Sequence, residues 1–209
     1  MANLSDKISV LIDEDLKKLG ERGFAQRRNR LIGKEVGSYG VKVREIRKIT
    51  KEYFKQFSRG KWREIIKELM STKVFENQMA GIFLLALFPK TEKKITISEI
   101  EELLKGYIDN WATCDAISSE VVAKVLTHSP NEIKRLNTWA QSRNVWLKRA
   151  ALVTMVKLKN KIEDWQKIAF EMLSSLGEEQ EPILKKAVCW LQKEVLVDGQ
   201  NSQKVVEQG

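Results

Sequence analysis

The segment Trp111-Ala112-Thr113-Cys114-Asp115 sets an indole four residues ahead of a carboxylate. A second segment, Trp146-Leu147-Lys148-Arg149-Ala150-Ala151, places a guanidinium inside an otherwise apolar run. A third, Lys186-Ala187-Val188-Cys189-Trp190, brings another indole beside lysines. One carboxylate, one permanent cation and two indole faces suit a cationic or sugar-like group held against a polyanion.

Each residue also has a plainer reading. Asp115 at the start of a helix would complement the helix dipole and need no substrate. From there, Asp115, Ser119, Val122 and Leu126 form a row that turns apolar below the carboxylate. If the turn before Asp115 is helical, Trp111 and Asp115 share a wall; otherwise Trp111 is a core residue. In the helix predicted at 144–159, Leu147, Ala150, Ala151, Thr154 and Leu158 make the apolar face. Arg149 lies opposite, yet its neighbours along the helix are Val153 and Val156. A guanidinium among valines calls for an anion, either a phosphate or a carboxylate such as that of Asp115. In the last helix Leu184, Ala187, Leu191 and Val195 form the core stripe. Trp190 is on its flank, as boundary packing or as a groove wall, with Lys185 and Lys186 close by.

Basic residues cluster further upstream. Arg27, Arg28, Arg30 and Lys34 form one group. Lys42, Arg44, Arg47, Lys48 and Lys51 form another, of which Arg44, Arg47, Lys48 and Lys51 share one helical face. Such a run is a solvated face or a phosphate-binding one, and few acids balance it here. The whole chain of 209 residues carries a net charge of +9. That charge makes an acidic partner the expectation, nucleic acid ahead of a membrane surface.

Two cysteines, Cys114 and Cys189, are too few for a disulfide scaffold and read as reduced thiols. A single His and no CxxC pair leave no metal site to expect, and no cofactor. The acidic, interrupted N-terminus is not read as a signal peptide, and Ala80–Phe88 is too short an apolar run to cross a bilayer. A cytoplasmic protein is the expectation.

The elements that must carry these residues are helices throughout. Apolar periodicity predicts them at 4–19, 22–34, 42–57, 61–71, 74–88, 97–108, 115–128, 130–141, 144–159, 162–175 and 181–196. The prolines punctuate them. Pro89 stops one, Ser129-Pro130-Asn131-Glu132 reads as a capping box, and Pro182 opens the last after the linker Gly177–Glu181. No stretch alternates with period two, so the fold is all-α. Short serial helices with short connections favour stacked pairs near the length of a HEAT unit over a closed bundle. One domain over 1–196 and a polar, frayed tail over 197–209 follow.

Tyr39-Gly40-Val41 ahead of the basic helix, Trp111–Asp115, Asn144–Ala151 and Lys186–Trp190 together resemble the AlkD-type DNA alkylation repair proteins, the HEAT-like-repeat alkylpurine DNA glycosylases. The resemblance covers roughly residues 20–196. It implies a HEAT-like helical-repeat solenoid whose concave basic face cradles double-stranded DNA containing alkylated purines, acting as a monomer. It also implies that Asp115 is the catalytic aspartate, Trp111 and Trp190 the sugar-facing tryptophans and Arg149 the active-site arginine. Lys148, Lys185, Lys186, Arg44, Arg47, Lys48 and Lys51 are then the expected DNA contacts. The sequence departs from the family pattern at Ala112, where a second acid is common, at Ala116, where Ser is common, and at Lys42-Val43, where Thr-Pro is common.

The chemistry fits these residue types. A purine alkylated at N3 or N7 is already cationic and leaves without a general acid. The enzyme then has only to stabilise positive charge growing on the deoxyribose. A carboxylate about 4 Å away is worth about 4 kcal/mol at an effective dielectric near 20, and an indole face about 0.5–2 kcal/mol. One acid suffices where ordinary glycosidases use two. No lysine stands out as a Schiff-base nucleophile, so the expected product is an abasic site. Two rivals use the same residues: a non-catalytic HEAT-like protein binding damaged or branched DNA, and a helical scaffold for acidic protein partners.

Overall fold

The computed structural model describes residues 8–33, 36–56, 61–87, 95–177 and 181–206, with side chains to 197. The described residues form α-helices with short 3-10 and π segments and no strand, in agreement with the all-α expectation. The chain divides into two compact units, residues 1–116 and 117–209.

The first unit contains α1 (Ile8–Lys18), α2 (Arg22–Ile32), α3 (Val43–Gln56), α4 (Trp62–Ser71), α5 (Phe75–Leu87) and α6 (Ile97–Tyr107). It ends within α7 (Trp111–Ile117). Helix α5 is its centre. Its apolar residues run all round the helix, so it can be satisfied only by burial on every side. It packs against α1, α3 and α4, and Phe75 to Leu85 are all buried.

Three polar residues lie within that buried run, and each ties down a different piece of chain. Glu76 is fully buried. Its carboxylate accepts the backbone N–H groups of Tyr39 (2.9 Å), Gly40 (2.9 Å) and Val41 (3.0 Å), the Ser38 hydroxyl (3.0 Å) and the Arg28 guanidinium. Arg28 is itself buried, lies over the Phe24 and Phe75 rings, and donates to the Val41 carbonyl. A buried carboxylate survives at low dielectric only when its charge and lone pairs are met in this way. Asn77 donates to Asp13 of α1, which also accepts the Tyr39 hydroxyl at 2.5 Å. Burial, followed by the bond to Asp13, pushes that phenol up to about 12. Gln78 donates to the Tyr107 carbonyl at 3.0 Å.

The segment 38–41 wound over Glu76 leads directly into α3. Gly40 there has φ +85°, and a Cβ would lie 2.1 Å from the Glu21 carbonyl oxygen. No other residue fits that position.

The second unit runs from a π turn (Ser118–Val122) through α8 (Ala123–His128), a 3-10 turn (Pro130–Glu132) and α9 (Lys134–Ala140). It continues through α10 (Val145–Leu158), α11 (Trp165–Ser175) and α12 (Pro182–Val206). Helix α10 is the centre, packed against the π turn, α8, α9, α11 and α12. Its start is as predicted: the Asn144 side chain accepts the Trp146 and Leu147 N–H groups at 2.9 and 3.1 Å.

Several boundaries differ from expectation. The helix predicted from 115 begins at Trp111, so Asp115 is not an N-terminal residue. A π turn (Ser118–Val122) follows, and Val122 and Leu126 are fully buried below the half-buried Asp115 and Ser119, as the expected row requires. Ser129–Glu132 is not a capping box: its side chain makes no cap bond, and the backbone closes i→i+3 bonds instead. A capping box is formed instead by Thr96 and Glu99, opening α6. Helix α12 runs past the predicted end at 196 to Val206, because an established helix gains a bond with every residue added. Pro89 lies outside the described residues.

Candidate functional site

Helix α7 carries the first pair. Asn110, just before it, turns its side-chain oxygen onto the Thr113 N–H at 3.0 Å and so starts the helix. Thr113, Cys114 and Ile117 are fully buried and fix which side of α7 faces the core. That orientation leaves Trp111 and Asp115 together on the other side, one turn apart. Trp111 is 37 % exposed, whereas Trp139 is at 1 %, Trp165 at 4 % and Trp62 at 7 %. The core reading of Trp111 does not hold. Its indole N–H donates to the Leu31 carbonyl, in the last turn of α2, at 3.1 Å. The ring is thus held by its edge while part of its surface meets solvent. Asp115 is half-buried beside it.

Helix α3, also in the first unit, presents Arg44, Arg47, Lys48 and Lys51 to solvent. Arg44 pairs with Glu45 at 3.0 Å, and Arg47 lies over the Phe83 ring with its guanidinium carbon 4.0 Å from the centroid. The upstream group loses one member to the core. Arg28 belongs to the interior with Glu76, and Lys34 lies outside the described residues.

In the second unit, Arg149 is 6 % exposed, with Val153 at 0 % and Val156 at 8 %. Both sides of α10 are buried, which explains valines around a guanidinium. The group donates to the Ile183 carbonyl in the first turn of α12. Lys148 beside it is half-buried.

Along α12, Leu184, Ala187 and Leu191 of the predicted stripe are buried, and its last member, Val195, is half-buried. Trp190 is half-buried on the flank. Lys185, Lys186, Cys189, Trp190 and Lys193 line a shallow depression of about 390 Å³. The Lys157 ammonium, from α10, sits 4.7 Å from the centroid of a Trp190 ring. The indole face already accommodates a cation. Cys189 is exposed and Cys114 buried, and neither is in a disulfide.

Lys157, Lys193 and Asn110 were not singled out from the sequence. Lys193 was legible, being two turns beyond Lys186 on the same face. Lys157 was not, because its place depends on the pairing of α10 with α12. Asn110 is a good N-cap residue type, but a helix predicted from Asp115 leaves it in the preceding loop.

Among the described residues no group of His, Cys, Asp or Glu side chains could hold a metal ion, and no helix is long and apolar enough to cross a membrane. Among curated proteins, none matches the chain. A family model does match, that of the DNA alkylation repair enzymes, over residues 12–200.

Proposed function

Since the chain belongs to the DNA alkylation repair enzyme family, we propose that it is a monofunctional DNA glycosylase, hydrolysing the N-glycosidic bond of cationic N3- and N7-alkylated purines in duplex DNA. The observation that carries this reading is the pairing of Trp111 with Asp115, one turn apart on the side of α7 away from its buried face.

In the proposed reaction the bond between C1′ and the purine nitrogen breaks, and its electron pair neutralises the alkylated ring. The Asp115 carboxylate stabilises the positive charge left on the sugar. Water adds to C1′, and its proton passes to Asp115 or to solvent. The products are the free base and an abasic site. By resemblance to the family, Trp111 and Trp190 face the deoxyribose and Arg149 is the active-site arginine. Lys148, Lys185 and Lys186, with Arg44, Arg47, Lys48 and Lys51 of α3, meet phosphates. A monomeric HEAT-like solenoid with a concave basic face, working in the cytoplasm, belongs to the same proposal.

The test is incubation with duplex containing N7-methylguanine, followed by measurement of released base. Release of N7-methylguanine and N3-methyladenine is expected, with almost none of neutral 1,N6-ethenoadenine or uracil. Tight, salt-sensitive binding without release would favour the non-catalytic DNA-binding reading. Efficient release of uracil would overturn the mechanism, because a neutral base needs an acid to leave.

A further inference from the structure

We infer that Asn110 is a positioning residue for Trp111 and Asp115, holding α7 in the rotational phase that the chemistry needs. This inference rests on the reading of Asp115 given above.

Asn110 is 2 % exposed, and its amide has one consistent orientation. The side-chain oxygen accepts the Thr113 N–H at 3.0 Å. The nitrogen faces two acceptors, Gln78 Oε1 at 3.2 Å and Asp109 Oδ1 at 3.0 Å. Turning the amide over would set donor against donor and acceptor against acceptor. Gln78 is fully buried in α5, and its own nitrogen donates to the Tyr107 carbonyl at 3.0 Å. A relay therefore runs from the central helix of the first unit, through Gln78 and Asn110, to the first turn of α7.

Phase matters because one residue of slip rotates a helix by about 100°. Such a slip would carry the Asp115 carboxylate off the face it shares with Trp111. Thr113, Cys114 and Ile117 set the buried side by packing, and the bond from the Thr113 N–H to the Asn110 oxygen fixes which residue opens the first turn, while Gln78 holds the Asn110 amide turned for it. The Trp111 indole, held at the Leu31 carbonyl, depends on the same phase.

Asn110→Ala and Asn110→Ser separate this role from general support. The serine hydroxyl can accept the Thr113 N–H, whereas alanine cannot. At saturating protein, Asn110→Ala is expected to slow single-turnover release of N7-methylguanine by roughly tenfold or more, with duplex affinity within about twofold of the wild type. Asn110→Ser is expected to recover most of that rate. Hydrogen exchange at the Thr113 amide should quicken in the alanine variant and not in the serine variant.

A wild-type rate in Asn110→Ala, or equal slowing in both variants, overturns the inference. Asp115→Asn, run alongside, distinguishes the two levels. If it abolishes release while Asn110→Ala is unaffected, the positioning role fails and the glycosylase reading stands. If no protein in the set releases base but Thr113 exchange responds as expected, the glycosylase reading fails and the anchoring stands.

Discussion

Asp115 and Trp111 carry different kinds of weight, and substitution separates them. Asp115→Asn keeps the shape and removes the charge. Base release should fall by roughly 10²-fold or more, as when one charge-stabilising group is removed elsewhere. Duplex affinity should hold or rise, because a negative charge near phosphate is gone. Single-turnover release and a binding isotherm check both. Trp111→Ala should slow release with only a small melting shift, since the ring is 37 % exposed. Trp139→Ala, at 1 % exposure, is the control. It should cost about 3–5 kcal/mol of folding stability. Thermal melts beside the activity assay read the contrast. Arg149 gives a two-part expectation. Losing its bond to the Ile183 carbonyl lowers the melting temperature of Arg149→Ala. If it also meets a DNA phosphate, the slope of log K against log salt falls by about 1. Equal slopes for the variant and the wild type would leave Arg149 a structural residue only.

The helices were legible because each carries its own 3.6-residue apolar pattern, and burial follows that pattern. The failures have local causes. The start of α7 at Trp111 depends on Asn110, whose capping signal is hidden among residues that read as loop. The π turn after it has no compositional mark. Ser129–Glu132 has the letters of a capping box but not its geometry, whereas Thr96 and Glu99 have both. Glu99 also bonds Arg63 of α4. That bond, with the Thr96 cap and against the opposing effect of burial, holds its carboxyl down at about 2. A carboxyl lowered in the folded state contributes stability above its ordinary value of 4.5, and loses it as pH falls from there towards about 2. Glu99→Gln should therefore melt with a flatter pH dependence across that window than the wild type. Melting temperatures in buffers spanning it provide the measurement.

Each compact unit is organised around one helix buried on all sides, α5 in the first and α10 in the second. Both were foreseen as apolar, but their polar inclusions were read less well. In the sequence Arg28 reads as part of a basic cluster, whereas in the fold Glu76, 48 positions along the chain, holds it inside. Arg149 is unusual already in the sequence, and its valine neighbours are buried. The net charge of +9 survives this loss of Arg28 to the interior, because Glu76 goes with it.

The Glu76 carboxylate gives the segment 38–41 a property that loops seldom have. Its three bonded amides, those of Tyr39, Gly40 and Val41, open to solvent only if the carboxylate is exposed, and it leaves the interior only when α5 does. Their deuterium uptake should be as slow as that of α5 itself and should speed up together with it in denaturant. On the exchange timescale, four residues without regular structure would then behave as part of the core.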